Sequence, residues 1–330
     1  RCWRVTLPAC DGFGVNSCFS LLTFLSVTSI VASRQLLLLF LKALNIMTSK
    51  RTPDGITILP RDLHFEMAAA DNGPWLDGDP VATAIFNAMS LTFPEGERMF
   101  MDAVKAYRSE VSGQLAADVK DFITQEAIHS REHHLLNNKI DREKYPVAEI
   151  EAAIMEKITF GRSGGPFRML LATICLEHFT AMMADLMFGF EVDGVPIFSK
   201  TDPALERLWH WHAMEETEHK AVAYDVFLEA TKDWPAIKRY FRRSLSMLLI
   251  TKHFTANIAT YAAMLLEADG YSRKDADRAV KEFLWKKPSL FGKGWKTWLS
   301  WFKPGFHPWD HDNRHAMDDW KAEFTPVAAE

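Results

Sequence analysis

Apolar positions across residues 81–330 recur at three- and four-residue intervals, and strand-like alternation is almost absent. That period predicts helices throughout. A first long helix is expected to open near Pro94, with Glu95 and Glu97 in its first turn, where the helix dipole favours acids. Its stripe runs Glu97, Phe100, Met101, Val104, Tyr107. A second helix is expected over 114–137, with Leu115, Val119, Phe122, Glu126, His129, His133 and Leu136 on one face. A shorter connector, 147–160, stops at Gly161 and the Gly164-Gly165-Pro166 break. The third long helix, 166–189, carries Leu170, Thr173, Ile174, Glu177, Ala181, Ala184 and Phe188. The fourth takes Asp202 as N-cap and Pro203 as its first residue, and its stripe is Leu205, Leu208, Trp209, His212, Glu216, His219, Ala223, Val226. Two further helices, 235–268 and 272–287, precede an aromatic, basic stretch broken by Pro and Gly.

The two ends of the chain change this picture differently. Residues 47–80 are polar and interrupted by Pro53, Gly55, Pro60, Gly73, Pro74, Gly78 and Pro80, so they are expected to form a leader or loop wrapped over a domain. Residues 1–46 share neither composition nor motif with the rest; they contain no Met, and Arg34 splits their apolar run. They read as an upstream or targeting extension, the chain proper starting at Met47, with a signal or membrane anchor and a folded extension as the alternatives. No linker divides 81–330, which is expected to be one helical domain.

Composition narrows the partners. With 43 acids against 38 bases the chain has no basic excess, and a nucleic-acid partner is not expected. Three of the four cysteines lie in the first eighteen residues, leaving Cys175 alone. That usage does not suit a disulfide-stapled secreted domain and points to a reducing cytoplasm.

The charged residues carry the chemistry. Each of the four long helices places a glutamate on the stripe that should be buried. Residues three or four apart share a helix face, so Glu126 and His129 point together, as do Glu216 and His219, with His212 one turn earlier. Buried acids and imidazoles at this density would repel one another unless cations of total charge about +4 sat between them. Duller readings stand beside this one. Glu97 could be a first-turn acid serving the dipole, and His212 could hydrogen-bond behind a ligand or stack on Trp209. His133 is read as lying behind the site or at the surface rather than as a ligand. Glu215 shares nearly the face of Glu216, and only motif spacing favours the latter. Glu218 and His178 fall off their stripes and are left out, and Asp185 is a weak candidate for holding a ligand imidazole.

The order Glu, Glu-x-x-His, Glu, Glu-x-x-His resembles the ligand scheme of ferritin-like di-iron and di-manganese proteins. The fold this implies is all-α, a ferritin-like four-helix bundle with additional C-terminal helices. The run His212-x-x-x-Glu216-x-x-His219 is similar to that of the p-aminobenzoate N-oxygenase group of di-iron enzymes. On that resemblance the metal ligands are Glu97, Glu126, His129, Glu177, His212, Glu216 and His219. The segments FPEGERMF, FITQEAIHSREH, LEHFTA, WHAMEETEHKAVAYDVF and PGFHPW resemble a bacterial family labelled predicted metal-dependent hydrolases, over about residues 58–320.

Carboxylate and imidazole donors without thiolate suit two iron ions, with manganese or a mixed Fe/Mn pair as alternatives. The expected function is a di-iron oxygenase or oxidase that activates O2 on a small organic substrate, such as an amine nitrogen, and draws on an electron donor. The alternatives are a metal-dependent hydrolase using a metal-bound hydroxide and a non-catalytic metal-binding or iron-storage protein. Phe93, Phe122, Leu170 and Phe188 are expected to wall an apolar site that accepts an apolar or aromatic substrate. Self-association as a homodimer is left open.

Overall fold

The computed structural model describes residues 52–53, 55–67 and 73–324. The expectations for residues 1–46 lie outside the described residues. The described chain is mostly helical, as the periodicity predicts. Its helices are α1 (Pro80–Lys105), α2 (Gly113–Asn137), α3 (Val147–Ser163), α4 (Gly165–Met187), α5 (Pro203–His219), α6 (Val222–Ala230), α7 (Ala236–Ala268), α8 (Arg273–Trp285), α9 (Leu290–Lys293), α10 (Trp295–Ser300) and α11 (Asp318–Phe324). A two-residue hairpin, β1 (Glu191–Val192) and β2 (Val195–Pro196), supplies the strands among the described residues.

The first helix departs from expectation. It opens at Pro80, capped by Asp79, whose Oδ1 accepts from Val81 N at 2.8 Å and Ala82 N at 3.1 Å. Pro94 therefore lies inside the helix. Proline has no N–H to offer the carbonyl one turn back, which belongs to Ser90. The neighbouring helix supplies the missing donor: Asn137 Nδ2 of α2 reaches Ser90 O at 2.9 Å. Ser130 Oγ, two turns earlier on α2, donates to Pro94 O at 3.1 Å. Tertiary contacts thus carry α1 through a residue that would otherwise end it. Glu97 consequently sits deep in a 26-residue helix, which removes its reading as a first-turn acid.

Helix α5 starts as expected, with Asp202 Oδ1 accepting from Ala204 N at 2.8 Å and Pro203 at the first position. It does not run on to Val226; the chain breaks at Lys220–Ala221 and resumes as α6.

Helix α1 packs on α2, α4 and α7, while α5 packs on α4 and α2. Their apolar side chains form two large cores. One gathers Met89, Phe93, Ala184, Met187, Trp209 and Ala213; the other gathers Phe100, Phe122, Leu170, Ile174, Val222 and Val226. Glu97 falls between Phe93 of one core and Met99 of the other, and Glu216 between Ala213 and Val222 in the same way, while Glu177 is flanked by Cys175 and Phe179 of the second core. The glutamates meet at the seam.

Two segments close over these helices. Residues 58–67 run without helix or strand across α2 and α5, with Phe65 N donating to Glu132 Oε2 at 3.3 Å. The C-terminal stretch covers the far end of α5. There Lys220 Nζ donates to His311 O and to Asn313 Oδ1, each at 2.7 Å. Helix α4 is the one described helix long and apolar enough to cross a membrane, but 67% of its apolar window is buried, as in a core helix.

Replacing Asn137 by Ala should strip Ser90 O of its donor and take one of the two partners of Ser90 Oγ. The expected loss is about 2 kcal/mol in chemical denaturation, against about 1 kcal/mol for Ser130→Ala. Equal and negligible losses would show that Pro94 needs no outside donor.

Candidate metal centre

Four helices deliver seven side chains to the seam, all of them at most 4% exposed: Glu97 from α1, Glu126 and His129 from α2, Glu177 from α4, and His212, Glu216 and His219 from α5. The i,i+3 and i,i+4 spacings aim the donors of α2 and α5 at the same point, and α1 and α4 complete the ring. Glu216 Oε1 is the hub. It lies 3.0 Å from His212 Nε2, 3.4 Å from His219 Nε2 and 3.6 Å from His129 Nδ1. His219 Nε2 is also 3.2 Å from Glu126 Oε1 and 3.5 Å from Glu177 Oε2. His212 Nε2 is 3.7 Å from Glu97 Oε1.

Three overlapping groups have donor atoms within 4.8 Å of one another: Glu97, His129 and His212; Glu126, His129 and Glu216; Glu126, Glu177 and His219. All seven residues expected from the sequence fall in these groups.

Electrostatics explains why such a cluster demands cations. Burial first, and then the charge of neighbouring carboxylates, pushes Glu97, Glu126 and Glu177 well above the ordinary carboxylate range. Glu216 goes the other way: burial opposes its ionisation, but His219 and His212 hold it well below that range. Burial, reinforced by the other imidazoles, holds His129 well below the usual imidazole range. Both carboxylate oxygens of Glu97, Glu126 and Glu177, together with Glu216 Oε2, His129 Nδ1 and His219 Nε2, make no aligned hydrogen bond. Buried polar atoms are normally satisfied. Here the orphans all face inward, and they are oxygen and nitrogen donors suited to divalent metals. The residues fit a metal centre.

The outward atoms of the imidazoles are satisfied by a crossed arrangement. Glu215, the residue before Glu216, accepts from His129 Nε2 at 3.0 Å. Gln125, the residue before Glu126, accepts from His219 Nδ1 at 2.9 Å. Each motif thereby orients the histidine of the other and fixes which nitrogen faces the seam. Behind both stands Arg61 of the covering segment, 3.0 Å from Glu215 Oε1 and 2.9 Å from Glu218 Oε1. Gln125 Nε2 closes the net on Glu218 Oε2 at 3.2 Å. Burial raises Glu215 to about 8 even so.

The third imidazole has its own support. His133 is fully buried, and its Nε2 lies 2.6 Å from His212 Nδ1 while its Nδ1 lies 2.9 Å from Ser90 Oγ. His133 therefore holds His212 from behind, with Nε2 of His212 aimed into the seam. The alternative of His212 stacked on Trp209 is replaced by another contact: Trp209 meets His133 edge-on at 5.1 Å, and His212 meets Phe93 at 5.1 Å.

Periodicity missed Arg61, Gln125 and Glu218; Glu215, weighed against Glu216 on nearly the same face, supports His129 instead. Glu218 was left out as off its stripe; it points away from the seam and is buried against Arg61. The available signal was the density of acids in EETEH. His178 lies outside the three donor groups, with its Nε2 3.2 Å from Thr297 O. Asp185 does not hold a ligand imidazole. It accepts from His311 Nε2 and Asn313 Nδ2, both at 3.0 Å.

A small apolar cavity opens beside His212 and Glu216, lined by Met89, Phe93, Met183, Met187 and Trp209, with Thr180 at its edge. Of the four expected walls Phe93 is in place. Phe122 instead caps His219 edge-on at 4.8 Å, Leu170 lies in the adjoining core, and Phe188 packs near His210 at 6.2 Å.

An all-helical chain with a buried glutamate–imidazole cluster of this kind has the build of a metalloprotein. Comparison with known families agrees: residues 59–312 match the model of a family described as predicted metal-dependent hydrolase, and the chain belongs to that family. Neither a curated protein nor a solved structure matches the chain.

The raised carboxylates set a pH dependence for the metal-free protein. Their folded-state values lie above the unfolded value, so the stability these three contribute is fully present below about pH 4 and is lost as the pH rises and the unfolded state ionises first. Glu216 contributes in the opposite sense, and so do His129 and His133, whose depressed folded-state values cost stability as the pH falls below the usual imidazole range. Glu126→Gln in chelator-treated protein should therefore stabilise at pH 8 and be neutral at pH 4, measured by thermal unfolding. A variant less stable than the parent at pH 8 would mean that Glu126 is held as a paired anion.

Proposed function

We propose that the cluster binds two divalent metal ions and that the chain is a metal-dependent hydrolase acting on a small, apolar molecule. The observation that carries the metal reading is the set of inward-facing donor atoms, four carboxylates and three imidazoles, that lack any other partner. Two divalent ions would balance four carboxylates, which a single ion would not. The ligands in this proposal are Glu97, Glu126, His129, Glu177, His212, Glu216 and His219.

Such metal pairs supply Lewis acidity and a water nucleophile at neutral pH. The chain's own residues do the rest. Phe93, Met183 and Met187 exclude bulk water and receive the apolar part of the substrate. Glu215 and Gln125 keep His129 and His219 in one tautomer, and His133 does so for His212. Membership of the hydrolase family supports the reaction type.

A second reading rests on a different observation. The donors are all carboxylate and imidazole, arranged as Glu, Glu-x-x-His, Glu, Glu-x-x-His on four helices, beside a cavity with an apolar lining. That order is the ligand scheme of ferritin-like di-iron bundles. It supports iron, or iron with manganese, and O2-dependent oxidation of the same class of substrate.

Metal analysis after reconstitution should find about two ions per chain, and Glu126→Ala combined with Glu216→Ala should abolish binding of both. Full retention of both ions in the double variant would remove the ligand assignment. The metal-loaded protein should cleave short aryl and acyl esters equally in air and under argon. Oxygen uptake by the iron-loaded form, with no ester turnover under argon, would replace hydrolysis by the oxidative reading.

A further inference from the structure

Helix α7 presents an exposed face that nothing in the metal centre requires. Phe241 is 61% exposed, Leu245 57%, and Leu248 and Leu249 51% each. Their spacing of four, three and one residues puts them on one side of the helix. Lys238, Arg242 and Lys252 share that side and are exposed as well. No Asp or Glu occurs between Asp233 and Glu267. Exposed side chains of α10 extend the patch: Trp295 at 53% and Leu299 at 45%, with Lys296 between them. Helix α10 is tied alongside α7 by Trp298 Nε1, which donates to Thr251 Oγ1 at 2.8 Å.

The charge distribution follows the same division. Residues 232–303 hold fifteen Lys and Arg against six Asp and Glu, in a chain whose formal net charge is −5. The positive excess is therefore gathered in one part of the chain. An apolar stripe flanked by basic residues and a tryptophan is the composition of a helix that lies in a lipid headgroup layer.

We propose that this α7–α10 face is a docking surface for an anionic lipid bilayer, with the leucines, Phe241 and Trp295 entering the headgroup–acyl boundary and the lysines and Arg242 meeting lipid phosphates. A second copy of the chain fits the face less well. Two-fold pairing would set Lys238, Arg242 and Lys252 against their own counterparts, and the face offers no acid to pair with them. Nucleic acid would answer the charge but leave four large apolar side chains in water. The inference is independent of the metal centre.

The test uses the full chain and sedimentation with vesicles of either phosphatidylcholine alone or phosphatidylcholine and phosphatidylglycerol in equal parts. Binding is expected to the anionic vesicles only and to fall with salt. Each basic residue near an anionic surface is worth about fivefold in partitioning, so Lys238→Gln, Arg242→Gln and Lys252→Gln together should weaken binding roughly a hundredfold. Leu245→Glu with Leu248→Glu should weaken it at least about tenfold. Metal content after reconstitution, unchanged in both variants, controls for folding. Failure to bind anionic vesicles overturns the proposal, as does binding that both variants retain. Concentration-dependent dimerisation that Leu245→Glu with Leu248→Glu abolishes would assign the face to self-association instead.

Discussion

Four glutamates brought into one unexposed seam are the constraint around which the rest of this protein is arranged. Left to themselves, Glu97, Glu126 and Glu177 are driven toward the protonated form by burial and mutual repulsion, while Glu216 stays ionised only because imidazoles crowd it. A helical interior has no backbone donors to offer them, since the helices spend theirs internally. Cations are the economical solution, and every other polar feature nearby is consistent with holding imidazoles ready for them. The apolar cores above and below the seam clamp the four helices, so the repulsion cannot be relieved by spreading them apart.

A second level of charge control lies one layer out. Glu215 and Glu218 are themselves buried acids, and Arg61 is the cation placed between them. Removing one member of a buried ionic group leaves the others uncompensated. The covering segment that carries Arg61 is therefore electrostatically coupled to the centre although it donates no ligand. The side of the site toward His212 is built differently. There the support is a neutral chain, His133 to Ser90 to Asn137, and the same Asn137 repairs the backbone gap left by Pro94. The continuity of α1 and the orientation of His212 thus share one hydrogen-bond network.

Periodicity made the helices legible, and the seven side chains it singled out lie together in the seam. Its failures have physical causes. Local pattern makes Pro94 a helix start because the donor that rescues Ser90 O comes from a residue 47 positions away. Glu218 was discarded because stripe arguments assume one buried face and one wet face. Helix α5 violates that assumption: residues 208–228 are buried without interruption. With every face inside, a 3.6-residue period cannot separate the face toward the metals from the face toward Arg61. Arg61 itself sits in a stretch with no period at all. What remained readable there was composition, an excess of acids and histidines in a helix too apolar elsewhere to be at the surface.

From Leu208 onward α5 is buried on every side. A helix carrying His212, Glu215, Glu216, Glu218, His219 and Lys220 inside a protein needs a partner on each side. α2 and α4 supply two sides. The segment starting near Leu59 supplies a third, through Arg61, and the C-terminal stretch through His311 and Asn313 supplies the fourth, by satisfying Lys220. Burial lowers Lys220 to about 8, so those acceptors are what keep its charge inside tolerable. The residues matched to the family, 59–312, begin at the first of these covering segments and end within the second. The matched residues thus include Arg61 and His311, while Asn313 follows directly after them. A fragment limited to the helices bearing the seven seam residues would take Arg61 away from Glu215 and Glu218 and both acceptors away from Lys220, and would open those polar faces to water.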